Sequence, residues 1–140
     1  MPAVQRVLSA LISLGTGGVL GTAMWLTPAS EGHGTHTQLG LSDCSFLVLT
    51  GQPCPMCGAT TTFTLLAHLR PIDAVINQPF AAFLFVLTVG LFGLSLSEVI
   101  LPRQRWQRLF RVLGPYEGPL AAGFLAFMGL GWVYKMWMMS

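Results

Sequence analysis

The three cysteines and two of the three histidines of this chain lie within one short segment. They are Cys44, Cys54, Cys57, His33 and His36. Thiolates and imidazoles bind borderline and soft metal ions, and two cysteines three residues apart can also form or exchange a disulfide. The segment from 33 to 57 is therefore the part of the sequence in which we expect chemistry.

Metal binding is the first interpretation of this segment. The five side chains exceed the four that a tetrahedral structural zinc site needs. In an oxidising compartment a single disulfide leaves one of three cysteines unpaired, whereas a site of three cysteines and one histidine leaves none. The sequence thus predicts a zinc-like ion held by Cys44, Cys54 and Cys57 with His36 or His33, and it predicts no other cofactor.

Two interpretations without a structural metal stay open, together with a third that uses metal transiently. The cysteines can form a purely structural disulfide, for example between Cys44 and Cys54. They can form a redox-active dithiol, in which Cys54 at a helix start is the attacking thiolate and Cys57 the resolving thiol. No alternating strand and helix pattern of a thioredoxin-like fold surrounds the motif. The third interpretation is delivery of exchangeable copper or zinc by His33 and His36. Enzymatic activity stays open, and a non-enzymatic role is favoured.

The composition is that of a membrane protein. Apolar residues make up 53% and charged residues 9% of the 140 residues, against about 25% charged in a soluble domain. Such a chain must turn apolar surface towards lipid or a partner. The formal charge of +2 gives no indication of nucleic-acid binding.

Three apolar runs, at about 4–26, 79–101 and 119–139, are long enough to cross a bilayer as helices. The first is interpreted as a retained helix because it is longer than the apolar region of a signal peptide. Between the first two runs, the sequence predicts a short interfacial or re-entrant helix over 55–69 and a turn-rich link at 71–78. The predicted fold class is an all-α integral membrane protein, a single domain over 1–140 with three transmembrane helices and this shorter helix.

Lys and Arg are distributed unequally between the two ends of the predicted spans. Four arginines lie in the link 102–118 and Arg6 lies at the start of the first span, which places five of the seven positive charges on one side. By the positive-inside rule the N-terminus and this link are cytoplasmic, and the Cys/His segment 27–78 is on the outer side.

Several single residues receive structural interpretations. Small residues in the spans, Gly17, Gly21, Gly93, Ser97, Gly123, Gly129 and Gly131, are expected to face other helices. Aromatic residues near the end of the third span, Trp132, Tyr134 and Trp137, are interpreted as interface anchors. Glu98 is expected to pair with a nearby arginine, and His68 is interpreted as an interfacial polar residue and not as a ligand.

Part of the chain resembles a known family. The residues concerned are C at 44, T-G at 50–51, C-P-M-C-G-A-T at 54–60 and N-Q-P at 77–79. This pattern is similar to that of small bacterial membrane proteins grouped as domain of unknown function 2752, over roughly residues 44–101. Met56 stands where that family usually has glycine, Thr61 stands where it has arginine, and Gln78 separates the usual N-P pair.

The resemblance implies two to four membrane helices with the cysteine motif between spans, in the cytoplasmic membrane of a bacterium, and it implies no activity. We therefore expect a small accessory or scaffold membrane protein that is stapled on its outer side by a metal or a disulfide. Its partners would be the lipid bilayer and either a larger membrane complex or further copies of itself, without nucleic acid. The alternative is a membrane thiol–disulfide oxidoreductase using residues 54–57.

Overall fold

The computed structural model describes residues 2–101 and 103–140, which form helices and no strand. Three helical stretches are long and apolar enough to cross a membrane: α1 (Pro2–Trp25), α5 (Pro79–Ile100) and Arg105–Met139, whose second part is α7 (Glu117–Met139). The shorter helices are α2 (Ser45–Thr50), α3 (Ala59–Ala67), α4 (Pro71–Asn77) and α6 (Arg105–Leu113), with 3-10 turns at Thr35–Leu39 and Gly114–Tyr116. The predicted fold class is confirmed.

Helices α1 and α5 form an antiparallel pair. The guanidinium of Arg6, near the start of α1, donates to the carbonyl of Val99 near the end of α5 at 3.1 Å. A Cβ added to Gly17 would lie 3.0 Å from the ring of Phe92, whereas Gly21 has no such neighbour within 4 Å. Gly17 therefore allows the close approach of the two helices, as predicted.

Helix α7 packs on the start of α5 through aromatic rings. Phe80 is 1% exposed and makes edge contacts with Phe124 and Phe127, with ring centroids 5.2 and 5.6 Å apart. Gly131 lies directly against Phe80, since an added Cβ would be 2.8 Å from the Phe80 Cβ. In the part of the chain described, Gly123 and Gly129 have no neighbour of this kind within 4 Å.

The prediction of a helix over 55–69 was too long at both ends. Gly58 has a φ of +85°, which a right-handed helix does not contain, so α3 can begin only at Ala59. The chain from Pro55 to Gly58 is a turn. At the other end Leu69 also has a positive φ, of 58°, so the helix stops before it.

The prediction of a turn-rich link at 71–78 was wrong, because this stretch forms α4. Pro71 stands in the first turn, where its missing N–H does no harm, and Asp73 in the same turn complements the helix dipole. Ala74 is fully buried, so tertiary packing supports a helix of only seven residues.

The link after α5 also contains a helix, α6. Glu98 is 1% exposed, and its carboxylate accepts hydrogen bonds from the backbone N–H groups of Gln104 and Arg105 at 3.1 and 2.9 Å. The predicted arginine partner is present at a longer distance, with Arg105 Nε 4.0 Å away. Glu98 therefore serves mainly to fix the start of α6.

Candidate functional site

The cysteine-bearing segment is held by a buried polar network at the ends of the long helices. The hydroxyls of Thr35 and Thr61 are 2.7 Å apart, and both residues are fully buried. The Asn77 amide nitrogen donates to Thr62 Oγ1 at 2.9 Å and to the carbonyl of Gly58 at 3.2 Å. The network thus fixes the backbone immediately after Cys57.

Side chains of α7 complete this framework. The indole N–H of Trp132 donates to the carbonyl of Pro53 at 2.8 Å, and the Tyr134 hydroxyl donates to the carbonyl of Ile76 at 2.6 Å. Both residues were predicted to be interface anchors, but they hold the cysteine segment and α4. Trp137, with 74% of its surface exposed, has no such contact among the described residues, and its interfacial role stays a prediction.

The sequence analysis missed the structural role of Lys135, a residue of α7. It is 3% exposed, and its ammonium donates to Asn77 Oδ1 at 2.8 Å, to the Gly32 carbonyl at 3.2 Å and to the Asn77 carbonyl at 3.3 Å. Within the described residues no carboxylate lies within 4.0 Å of it. The available signal was that the one lysine of the sequence stands inside an apolar helix.

The three thiols and one imidazole open on the same small space. Cys44, Cys54, Cys57 and His36 line a cavity of about 200 Å³. His33 does not line it but lines an adjoining cavity of about 220 Å³, together with His36, Cys44 and Cys57. The structure therefore brings four of the five predicted ligands to one cavity and leaves His33 beside it.

Both imidazoles are oriented by backbone carbonyls. His36 Nε2 lies 3.1 Å from the carbonyl of Ser42, and His33 Nδ1 lies 2.9 Å from that of Glu31. A ring nitrogen that donates to a carbonyl leaves the other nitrogen with a lone pair. His36 Nδ1 is therefore the atom that could bind a ligand in the cavity.

The third histidine belongs elsewhere. His68 Nε2 lies 2.9 Å from the carbonyl of Leu26, so it connects the end of α3 to the residue after α1. This position agrees with its interpretation as a polar residue and not a ligand.

The cysteines are free thiols in the described part of the chain. Over the same residues, no three Cys, His, Asp or Glu side chains converge closely enough to form a ready-made metal site. The metal, disulfide and dithiol hypotheses therefore stay predictions.

The three thiols differ in acidity. Backbone N–H groups near the start of α2, mainly that of Leu47, lower the pKa of Cys44. The Cys44 side chain nevertheless accepts no capping hydrogen bond from them. Burial raises the pKa of Cys54, and burial also raises that of Cys57 despite the positive charge of Lys135. Cys44 is thus the thiol most readily ionised.

Cys54 does not occupy a helix start. Four residues separate it from α3, whose N-cap is Gly58, and the cysteine that precedes a helix directly is Cys44, before α2. The helix-dipole argument made for Cys54 therefore applies to Cys44.

These features define a helical membrane protein with three candidate spans and a cysteine-lined cavity at one end of its bundle. Residues 44–92 match the model of a family described as "Protein of unknown function (DUF2752)", which confirms the resemblance seen in the motif. The match runs from Cys44 through the cysteine motif into α5. No curated protein and no solved structure matches the chain.

Proposed function

We propose that this protein is a small scaffold or accessory membrane protein whose outer segment binds one zinc-like ion through Cys44, Cys54, Cys57 and His36. The observation that carries the proposal is that these four side chains line one cavity of about 200 Å³. Three thiolates and one neutral imidazole are a donor set of structural zinc sites.

The surroundings of the cavity suit a structural ion. One wall is rigid, because Trp132 holds the carbonyl of Pro53 just before Cys54, and Asn77 holds that of Gly58 just after Cys57. The other two side chains belong to short elements, since Cys44 directly precedes a six-residue helix and His36 lies in a 3-10 turn. An ion bound by all four side chains would join the short elements to the membrane helices.

The contact of His36 Nε2 with the Ser42 carbonyl supports this assignment. Histidine ligands of metals commonly donate their second ring nitrogen to a carbonyl, which fixes the ring. His33, in the adjoining cavity, is the alternative fourth ligand. We place the cavity on the outer side of the membrane because the arginines gather at the opposite end.

The test uses the full chain in detergent, with elemental analysis, native mass spectrometry and thiol alkylation on one sample. We expect one zinc per chain, with all three cysteines protected until a chelator removes the ion. His36→Ala should weaken zinc binding, and His68→Ala should not, because His68 binds a distant carbonyl. A chain that carries no metal and is two hydrogens lighter than the reduced form contains a disulfide, and this result would contradict the metal proposal.

A second candidate function, thiol–disulfide exchange, is favoured by the unequal acidity of neighbouring thiols. The Cys44 and Cys54 thiols influence each other's acidity, with the pKa of Cys44 lowered and that of Cys54 raised. Cys44 thiolate would attack a substrate disulfide and release one substrate thiolate. Cys54 would then attack the Cys44 sulfur and release the second, leaving a Cys44–Cys54 disulfide and a reduced substrate.

This candidate has its own test. Cys54→Ser should accumulate a mixed disulfide on Cys44, whereas Cys57→Ser should retain exchange. Exchange that instead depends on Cys57 and proceeds without Cys44 would assign the reaction to the C-P-M-C pair.

A further inference from the structure

Helix α6 has two chemically distinct faces. At 100° per residue its arginines at 105, 108 and 111 lie on one side, together with Val112, and its other large apolar residues, at 106, 109, 110 and 113, lie on the other. Phe110 is 68% exposed and Leu113 is 40% exposed, so the protein leaves much of the apolar face uncovered. A helix of this kind lies along a membrane surface, with its apolar face in the acyl region.

A cavity of about 610 Å³ opens between α6 and the first half of α1. Most of its lining is apolar, from Val4, Leu8, Ile12, Trp106 and Phe110. The wall on the α6 side is fixed, because Trp106 stacks on Phe110 with ring centroids 6.0 Å apart and donates its indole N–H to Ser9 Oγ at 3.2 Å.

One polar group in this cavity has no partner among the described residues. Gln5 lines the same space, and its amide nitrogen is buried and makes no hydrogen bond. A buried donor without an acceptor costs about 1–3 kcal/mol. A ligand with an oxygen acceptor next to an apolar chain would supply the missing partner.

The charged residues around α6 indicate the sign of the charge on that ligand. Arg108 and Arg111 are exposed and form no ion pair within the described residues. Glu98 is buried and lies within ion-pair distance of Arg105, at 4.0 Å, and not of these two arginines. The arginine face therefore favours an anion at the depth of the lipid headgroups.

We infer that an anionic phospholipid of the arginine-side leaflet binds at the junction of α1 and α6. Its acyl chain occupies the apolar cavity, an ester or phosphate oxygen accepts from Gln5, and its charged headgroup lies against Arg108 and Arg111. The site is at the opposite end of the bundle from the cysteines and is independent of what they bind.

The test compares two lipids with identical acyl chains, phosphatidylglycerol and phosphatidylcholine, titrated into the detergent-solubilised full chain and followed by native mass spectrometry. We expect tighter binding of phosphatidylglycerol. Arg108→Gln and Arg111→Gln should each weaken it about fivefold, from about 1 kcal/mol for each basic residue near the surface. Arg70→Gln is the control at the other end of the bundle, where Arg70 is exposed and paired with Asp73.

Gln5→Leu separates a built site from general charge attraction. It leaves every charge in place and removes the buried donor, so it should weaken retention of both lipids while preserving the preference for phosphatidylglycerol. Equal binding of the two lipids, an Arg70→Gln effect as large as that of Arg108→Gln, or an unchanged Gln5→Leu variant would each overturn the proposal.

Discussion

Gly58, the glycine that follows the C-P-M-C motif, gives the sharpest test of how the cysteine segment is held. Its backbone is left-handed, with φ +85° and ψ 0°. A Cβ added there would lie 2.6 Å from the Gly32 carbonyl oxygen and 3.1 Å from Lys135 Nζ. Gly58→Ala therefore combines backbone strain with a collision against fixed atoms.

Gly34 is a matched control for the strain alone. It has nearly the same backbone, with φ +82° and ψ 0°, and a Cβ added there meets nothing within 4 Å. A left-handed alanine costs about 1–2 kcal/mol, and the change removes a similar amount of unfolded-chain freedom at both positions. Overpacking adds about 1–3 kcal/mol, and only Gly58→Ala should show this addition.

The measurement is equilibrium unfolding in mixed micelles, followed by tryptophan fluorescence, because Trp132 contacts the segment directly. We expect Gly58→Ala to lower the free energy of unfolding by about 1–3 kcal/mol more than Gly34→Ala does. Equal losses in the two variants would show that the contact of Gly58 with Gly32 and Lys135 does not constrain the fold.

Three further predictions concern other parts of the molecule. In metal-free protein at pH 7 Cys44 should be alkylated faster than Cys57, because its lowered pKa gives more thiolate. The ratio of the Cys44 rate to the Cys57 rate should fall as the pH rises towards the pKa of Cys57. Mass spectrometry of samples taken at timed intervals measures both rates. Lys135→Met should lower the free energy of unfolding by about 1–3 kcal/mol, since Asn77 loses its buried donor; unchanged unfolding would contradict this. Glu98→Gln should speed hydrogen exchange at the start of α6 and leave α3 unaffected, and exchange that rises equally in both helices would mean a general loss of stability.

The long helices and the cysteine cluster could be predicted because their signals are local. Helix α5 starts at Pro79, as the sequence indicates, and runs to Ile100, one residue short of the predicted end. The common cavity of Cys44, Cys54 and Cys57 follows from their closeness in sequence. Both predictions use the hydropathy, length and spacing of nearby residues and need no knowledge of residues far away in the sequence.

Contacts over long sequence distances could not be predicted. Lys135 reaches Gly32 across 103 positions, and Trp132 reaches Pro53 across 79. No local pattern distinguishes an aromatic residue that lies in the interface from one that donates to a distant carbonyl. Helix α6 is different, because its alternation of arginine and apolar residues at helical spacing is visible in the sequence. The four arginines of the link 102–118, three of them in α6, were interpreted by their charge alone.

The dependence of the cysteine segment on α7 has a consequence for biosynthesis. During translation the motif at 54–57 emerges long before Trp132 and Lys135, yet those two residues hold the backbone on both sides of the cavity. The backbone beside the cysteines therefore gains these two contacts only after the C-terminal helix has been inserted.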